Sequence, residues 1–190
     1  MKPVFSRCTK LCSFTNINKG DMNKFEIRKA TQQDKGRIWE IIQQAIALRK
    51  EQGSRQWQDG YPNEEVVQSD IDKGYGYVVE MGTKIVGYVA IIFDIEPAYT
   101  AIEGQWLSDG KYVGIHRLAS AQDPHIKGVG TAIMKAVEEI AVGHEVYSIK
   151  VDTNFDNAGM LHVFDKLGYQ YCGEVYFRGA ARRAFEKLLK

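Results

Sequence analysis

Two spacings of apolar residues alternate along this chain, one of two residues and one of three to four, and their order predicts a mixed α/β protein. Phe25, Ile27 and Ala30 alternate as a short strand that runs into Thr31 and Asp34, both helix-capping residue types. Ile38, Ile41, Ile42, Ala45 and Leu48 then mark one face of a helix that reaches about Gln52 and stops at Gly53. Asn63 caps a shorter helix through about Lys73, with Val66, Val67, Asp70 and Ile71 in register. Tyr75 to Met81 and Lys84 to Asp94 predict two strands joined at Gly82 and Thr83, with Gly where a type II′ turn needs it. The second of these, KIVGYVAIIFD, is apolar on both faces and belongs inside a sheet. Ile95 to Lys111 predicts a loop or hairpin.

The stretch from Tyr112 to Gly143 holds the chemistry. Val113, Ile115, Leu118 and Ala119 form a strand, a polar turn follows, and Gly128 and Gly130 head a helix. Val129, Ile133, Met134, Val137, Ile140 and Ala141 fall on one face of that helix, which fixes its start near Lys127. A helix beginning in glycines turns unpaired N–H groups and the positive end of its dipole toward an anion, phosphate above all. His125 and Lys127 stand beside those amides. Two glycines alone fit a plain helix start better than an anion site. The dinucleotide fingerprint fails because Ile133 stands where its third glycine belongs, and the Gly-Lys-Ser/Thr ending of a Walker loop is absent. Tyr147, Ile149 and Val151 alternate as another strand. Asn157 opens a helix with Met160, Leu161, Phe164 and Leu167 in its core face, and Gly168 ends it. Tyr169 to Phe177 is a further strand, and ARRAFEKLL fits either a strand or a helix.

Composition narrows the reading. With 190 residues the chain suits one domain, and its formal net charge of +1 gives no broad basic field for nucleic acid or an acidic membrane. No apolar run approaches the roughly 18 residues of a membrane helix, so a soluble protein is expected. Cys8, Cys12 and Cys172 make an odd count that frames neither a disulfide set nor a four-ligand zinc site, which points to the cytoplasm. His144 and His162 lack metal-ligand spacing, and no metal is expected. Residues 1–21 have no periodicity and read as a flexible N-terminal extension, with one domain over 22–190.

The run HIKGVGTA resembles the pyrophosphate loop of the GNAT superfamily of acyl-CoA-dependent N-acyltransferases, Gln/Arg-x-x-Gly-x-Gly/Ala, with His125 departing from the first position. A second run resembles that family's next helix: Asn157, Met160, Val163, Phe164, Asp165, Lys166, Leu167, Gly168 and Tyr169 match N-x-x-[small/apolar]-x-x-L-Y-[E/D]-K-x-G-[F/Y]. The resemblance covers about Phe25 to Lys190. It implies an α/β (α+β) fold with a mixed, mostly antiparallel central sheet, helices on both faces and splayed central strands. It makes the last segment a strand.

The implied activity is transfer of an acetyl group from acetyl-CoA to a primary amine by direct attack in a ternary complex, where the enzyme gains most by aligning the reactants. The loop His125, Ile126, Lys127, Gly128, Val129, Gly130 and Thr131 would take the pyrophosphate. Leu118, Ala119 and Ser120 would offer backbone groups to the pantetheine arm and an N–H to the developing oxyanion. Asn157 would cap its helix or bond the arm. Phe164 replaces the family's thiolate-protonating Tyr, so it becomes a wall, and the proton role falls vacant or passes to water, Tyr169 or Tyr171. Glu103 and His116 are the candidate bases. Trp57, Asp59, Tyr61 and Trp106 suit a cationic amine with aromatic walls and a carboxylate, so a small amine or amino-acid-like acceptor is expected. A protein or peptide acceptor and a catalytically silent acyl-CoA sensor are the alternatives. Edge strands offer a route to a homodimer.

Overall fold

The computed structural model describes residues 24–190, and the extension expected over residues 1–21, with Cys8 and Cys12, lies outside them. Eight strands and four α-helices follow in the order β1 (Glu26–Lys29), α1 (Lys35–Glu51), α2 (Glu64–Asp72), β2 (Gly76–Met81), β3 (Lys84–Ile92), β4 (Glu103–Gly104), β5 (Val113–Ser120), α3 (Val129–Gly143), β6 (Ser148–Thr153), α4 (Ala158–Leu167), β7 (Gln170–Phe177) and β8 (Ala180–Leu188). The sheet order is β1-β2-β3-β5-β6-β8-β7-β4. Every pairing is antiparallel except β5 with β6, which α3 connects as a crossover. The ambiguous last segment is a strand held on both sides, by β6 and by β7. Residues 95–111, read as a loop or hairpin, contain a 3-10 turn at Pro97–Ala101 and the two-residue edge strand β4.

The local signals act as their chemistry requires. Asn63 accepts a hydrogen bond from Val66 N at 3.0 Å and so caps α2, while Asn157 accepts from Met160 N at 3.3 Å and caps α4. Gly168 ends α4 in the left-handed region. Gly82 takes the positive φ of the β2–β3 turn, and Met81 pairs with Lys84 across it.

Alternate positions on the strands send their side chains to opposite faces, and a helix pair covers each face. Ile38, Ile41 and Ile42 of α1 and Val67 of α2 pack with Val78, Tyr88, Ala119 and Ala121. On the other face Val129, Ile133, Met134 and Val137 of α3 and Phe164 of α4 pack with Val86, Val89, Ile115, Ile149, Val151 and Phe185. Each such aliphatic side chain contributes about 1.5–3 kcal/mol by leaving water. A Cβ on Gly87 of β3 would lie 2.8 Å from Val129 and 3.0 Å from Ile133, so its absence lets the first turn of α3 press onto the sheet. Among the described residues, no helix is long and apolar enough to cross a membrane.

Candidate active site

β5 and β6 pair only from Val113↔Ile149 to Ile115↔Val151. Beyond that point β3 still holds β5 as far as Ser120, and β8 still holds β6 as far as Thr153. The two central strands therefore diverge, each anchored to its outer neighbour, and a cleft of about 560 Å³ opens between them. Ile115 and Val151, the last registered pair, line it together with Leu118, Ala119, Ser120 and Thr153. The divergence has a local cause. Arg117 lies in the left-handed region at φ 53°, an uncommon conformation for a non-glycine residue, and the β3–β5 register slips between Tyr88 and Ala90.

At one end the cleft reaches the start of α3 through Gly130. Gly128 adopts φ 90° as the residue before the helix, and a Cβ built on it would meet nothing within 4 Å. Ala132 N–H bonds to Gly128 O, and among the described residues no acceptor takes the N–H of Val129, Gly130 or Thr131. Those three donors, at the positive end of a 15-residue helix, form an anion-binding terminus beside the cleft. His125 and Lys127 are exposed next to it, Ile126 is half-buried against the core, and Val129 is buried beneath the turn.

The last turn of α1 and the α1–α2 connection form the opposite wall, tied down at four points. Arg49 reaches Asp156 at 2.6 Å, Asn157 Nδ2 donates to Gln56 Oε1 at 3.2 Å, and Arg117 Nη1 donates to the Tyr61 hydroxyl at 2.5 Å. Arg178, in the β7–β8 turn, pairs with Asp59 at 2.8 Å and lies 4.3 Å over the Tyr61 ring. Trp57, Tyr61 and Asn157 line the cleft, whereas Asp59 does not and instead holds Arg178 and the Tyr61 N–H at the surface.

Two charged clusters stand on the cleft floor. Arg117 binds Asp70 of α2 through two 2.7 Å bonds, and Asp70 also accepts from the Tyr88 hydroxyl at 2.7 Å. Both members of this pair are buried, and it locks the slipped strand to α2. Beside it, His116 lies almost parallel to the Tyr99 ring, with Nε2 3.6 Å from Glu96 Oε2 and no hydrogen bond. Burial foremost, then the guanidiniums of Arg117 and Arg182, push the imidazole pKa down to about 3, so burial prevails over the nearby carboxylate and His116 is neutral. Asp152 accepts from the Tyr99 hydroxyl at 2.8 Å and from Arg182 at 3.3 Å; its burial raises its pKa, against the pull of Arg182.

Several expected site residues stand elsewhere. Glu103 sits on the outermost strand, exposed, accepting from the Tyr176 hydroxyl at 3.0 Å, and does not line the cleft. Trp106 packs on Tyr99, donates Nε1 to its carbonyl at 2.8 Å and faces the Lys150 ammonium. Phe164 is fully buried against Tyr169 and Phe185, so it is core rather than a cleft wall. Neither Tyr169, buried beside it, nor the half-exposed Tyr171 lines the cleft. Arg117, Asp70, Asp152 and Arg182 were not anticipated at the site. An arginine within an otherwise apolar strand and an aspartate on the apolar face of α2 are readable signals of a buried pair. Arg182 and Asp152 give none until β8 is paired with β6.

Residues 42–169 match the Acetyltransferase (GNAT) family. No curated protein matches the chain. A GNAT-family acetyltransferase of Streptococcus agalactiae 2603 is similar in structure, with a TM-score of 0.81 and 35% identity over 87% of this chain and 96% of its own. A GNAT-family acetyltransferase of Listeria monocytogenes 4b F2365 shares the fold at a TM-score of 0.70 and 20% identity, over 87% and 95% of the two chains. So does yncA from Salmonella typhimurium, solved with its cofactor acetyl-CoA, at 0.61 and 16% over 88% and 95%. The diverging central strands, the glycine-led helix start and these likenesses agree, and the chain belongs to the GNAT acetyltransferase family.

Proposed function

We propose that this acetyltransferase moves the acetyl group of acetyl-CoA to the primary amine of a small molecule that enters beneath the α1–α2 connection. Family membership makes the chain an acyl-CoA-dependent N-acetyltransferase with acetyl-CoA as co-substrate. The finer reading is carried by the four ties that hold Arg49, Gln56, Asp59 and Tyr61 to the β6–α4 turn, to β5 and to the β7–β8 turn. They favour a roofed pocket over an open groove for a protein segment.

The residues present suit the co-substrate. The diphosphate goes to the free amides of Val129, Gly130 and Thr131, with Lys127 and His125 beside them, and Gly128 supplies the φ 90° turn that opens the helix there. The edge of β5 from Leu118 to Ser120 is unpaired on its β6 side and can bond the amides of the pantetheine arm as an added strand would. An arm held this way would bring the thioester into the gap between β5 and β6, where alignment with the nitrogen would provide most of the acceleration. His116 lines the gap as a neutral imidazole whose pKa, near 3, is too low to hold the amine's proton, so its part is to relay that proton toward Glu96, 3.6 Å from Nε2.

The test is thiol release from acetyl-CoA across amino acids, polyamines, aminoglycosides, small amines and peptides. Turnover confined to small amines is expected; faster turnover with peptides or a protein N-terminus would overturn the assignment.

A further inference from the structure

Arg182 of β8 is the least satisfied cation on the cleft wall. Its side chain is 13% exposed and, among the described residues, it makes one hydrogen bond, at 3.3 Å to Asp152, while its buried Nε finds no acceptor. The guanidinium stands 5.1 Å over the Phe177 ring. A guanidinium has five N–H donors in a rigid fork. Arg117 spends its donors on Asp70 and Tyr61, and Arg49 on Gln52, Ser54 and Asp156. Arg182 keeps most of its donors uncommitted, in a place where water reaches them poorly.

The carboxylates nearby cannot complete it. Asp152 gives one oxygen to the Tyr99 hydroxyl, and Glu96 turns an oxygen to Ala98 N at 3.2 Å and the other toward His116. With Arg117 and Asp70 cancelling as a pair, the described residues of this part of the cleft set one cation, Arg182, against Asp152 and Glu96. The surplus negative charge suits an ammonium, and the uncommitted fork suits a two-oxygen anion. Both features lie around His116, where the acceptor's nitrogen must arrive.

We infer that the acceptor is an amino acid, its carboxylate taken by Arg182 and its amine directed toward His116 between the Tyr61 and Trp57 rings. This rests on the small-amine reading above and makes it specific. A polyamine offers Arg182 nothing, and the amine of a peptide N-terminus has an amide where the carboxylate would stand. Arg182 is thus a specificity-determining residue.

The experiment compares each of several amino acids with its α-carboxamide and its decarboxylated amine by thiol release from acetyl-CoA. In the wild-type enzyme kcat/KM for the acid is expected to exceed that of both analogues by about 10- to 100-fold, the scale of a charge-assisted hydrogen bond. In Arg182→Gln the KM of the acid rises by that factor, while the KM values of the analogues and of acetyl-CoA stay put. Arg182→Lys restores part of the preference. Equal or faster turnover of the amide or the amine by the wild-type enzyme overturns the inference and leaves the small-amine reading intact. Turnover of peptides alone overturns both. Should Arg182→Gln fail to fold, the wild-type comparison decides.

Discussion

His116 offers the most direct check on the electrostatics of the cleft. Its side chain is 11% exposed and near Arg117 on its own strand, Arg182 on β8 and Glu96 before the 3-10 turn, while Tyr99, stacked on it, donates to Asp152 on β6. Its folded-state pKa is held near 3, against an ordinary value of 6.5. The sign follows from proton linkage: the unfolded chain binds the proton first, so stability present above the ordinary value is lost as pH falls toward the folded value. At about pH 5, some 1.5 units below that ordinary value, the loss is about 2 kcal/mol, at about 1.4 kcal/mol per unit. His116→Gln keeps a polar side chain of similar reach that cannot be protonated in this range. Its offset at neutral pH is immaterial; the quantity read is how the stability difference between the two proteins changes with pH. Urea unfolding from about pH 7.5 to pH 5 should show wild type losing about 2 kcal/mol more than the variant. Carboxylates remote from the site, Asp34 among them, contribute equally in both proteins and cancel in the difference. Two parallel stability curves would refute the reasoning and remove the neutral imidazole from the proposed chemistry.

Two further outcomes are expected. Gly128→Glu should weaken acetyl-CoA binding at least about 10-fold by calorimetry, because it sets a carboxylate against the diphosphate at the helix terminus. Gly128→Ala carries the same φ 90° strain, about 1 kcal/mol, and should bind nearly normally; equal affinity of the two variants would put the diphosphate elsewhere. Asp70→Asn strips Arg117 of its carboxylate in a buried setting and should cost about 3–5 kcal/mol in urea unfolding, whereas Asp59→Asn, in an exposed pair, should cost under about 1 kcal/mol. Similar costs for the two would show that the Arg117–Asp70 pair does not anchor the slipped strand.

What the sequence by itself determined is what depends on neighbours a few residues apart. The glycines before α3, the Asn63 and Asn157 caps, the Gly168 stop and the Gly82 turn each act through a local backbone requirement, so each was legible. The motif resemblance added the parting of the central strands, which local pattern cannot supply. ARRAFEKLL stayed ambiguous by periodicity because β8 is an interior strand, and its pattern is set by β6 and β7 on either side. Only the tertiary structure decided which charges meet. Glu103 and Glu96 lie seven residues apart in one irregular segment, yet sheet pairing carries Glu103 to the far edge and leaves Glu96 beside His116. Arg117 finds Asp70 across 47 residues, and Arg182 finds Asp152 across 30, through strand order and register. A side chain's type and the face it occupies are local properties, whereas its partner is a property of the closed sheet, and the chemistry of this cleft depends on partners.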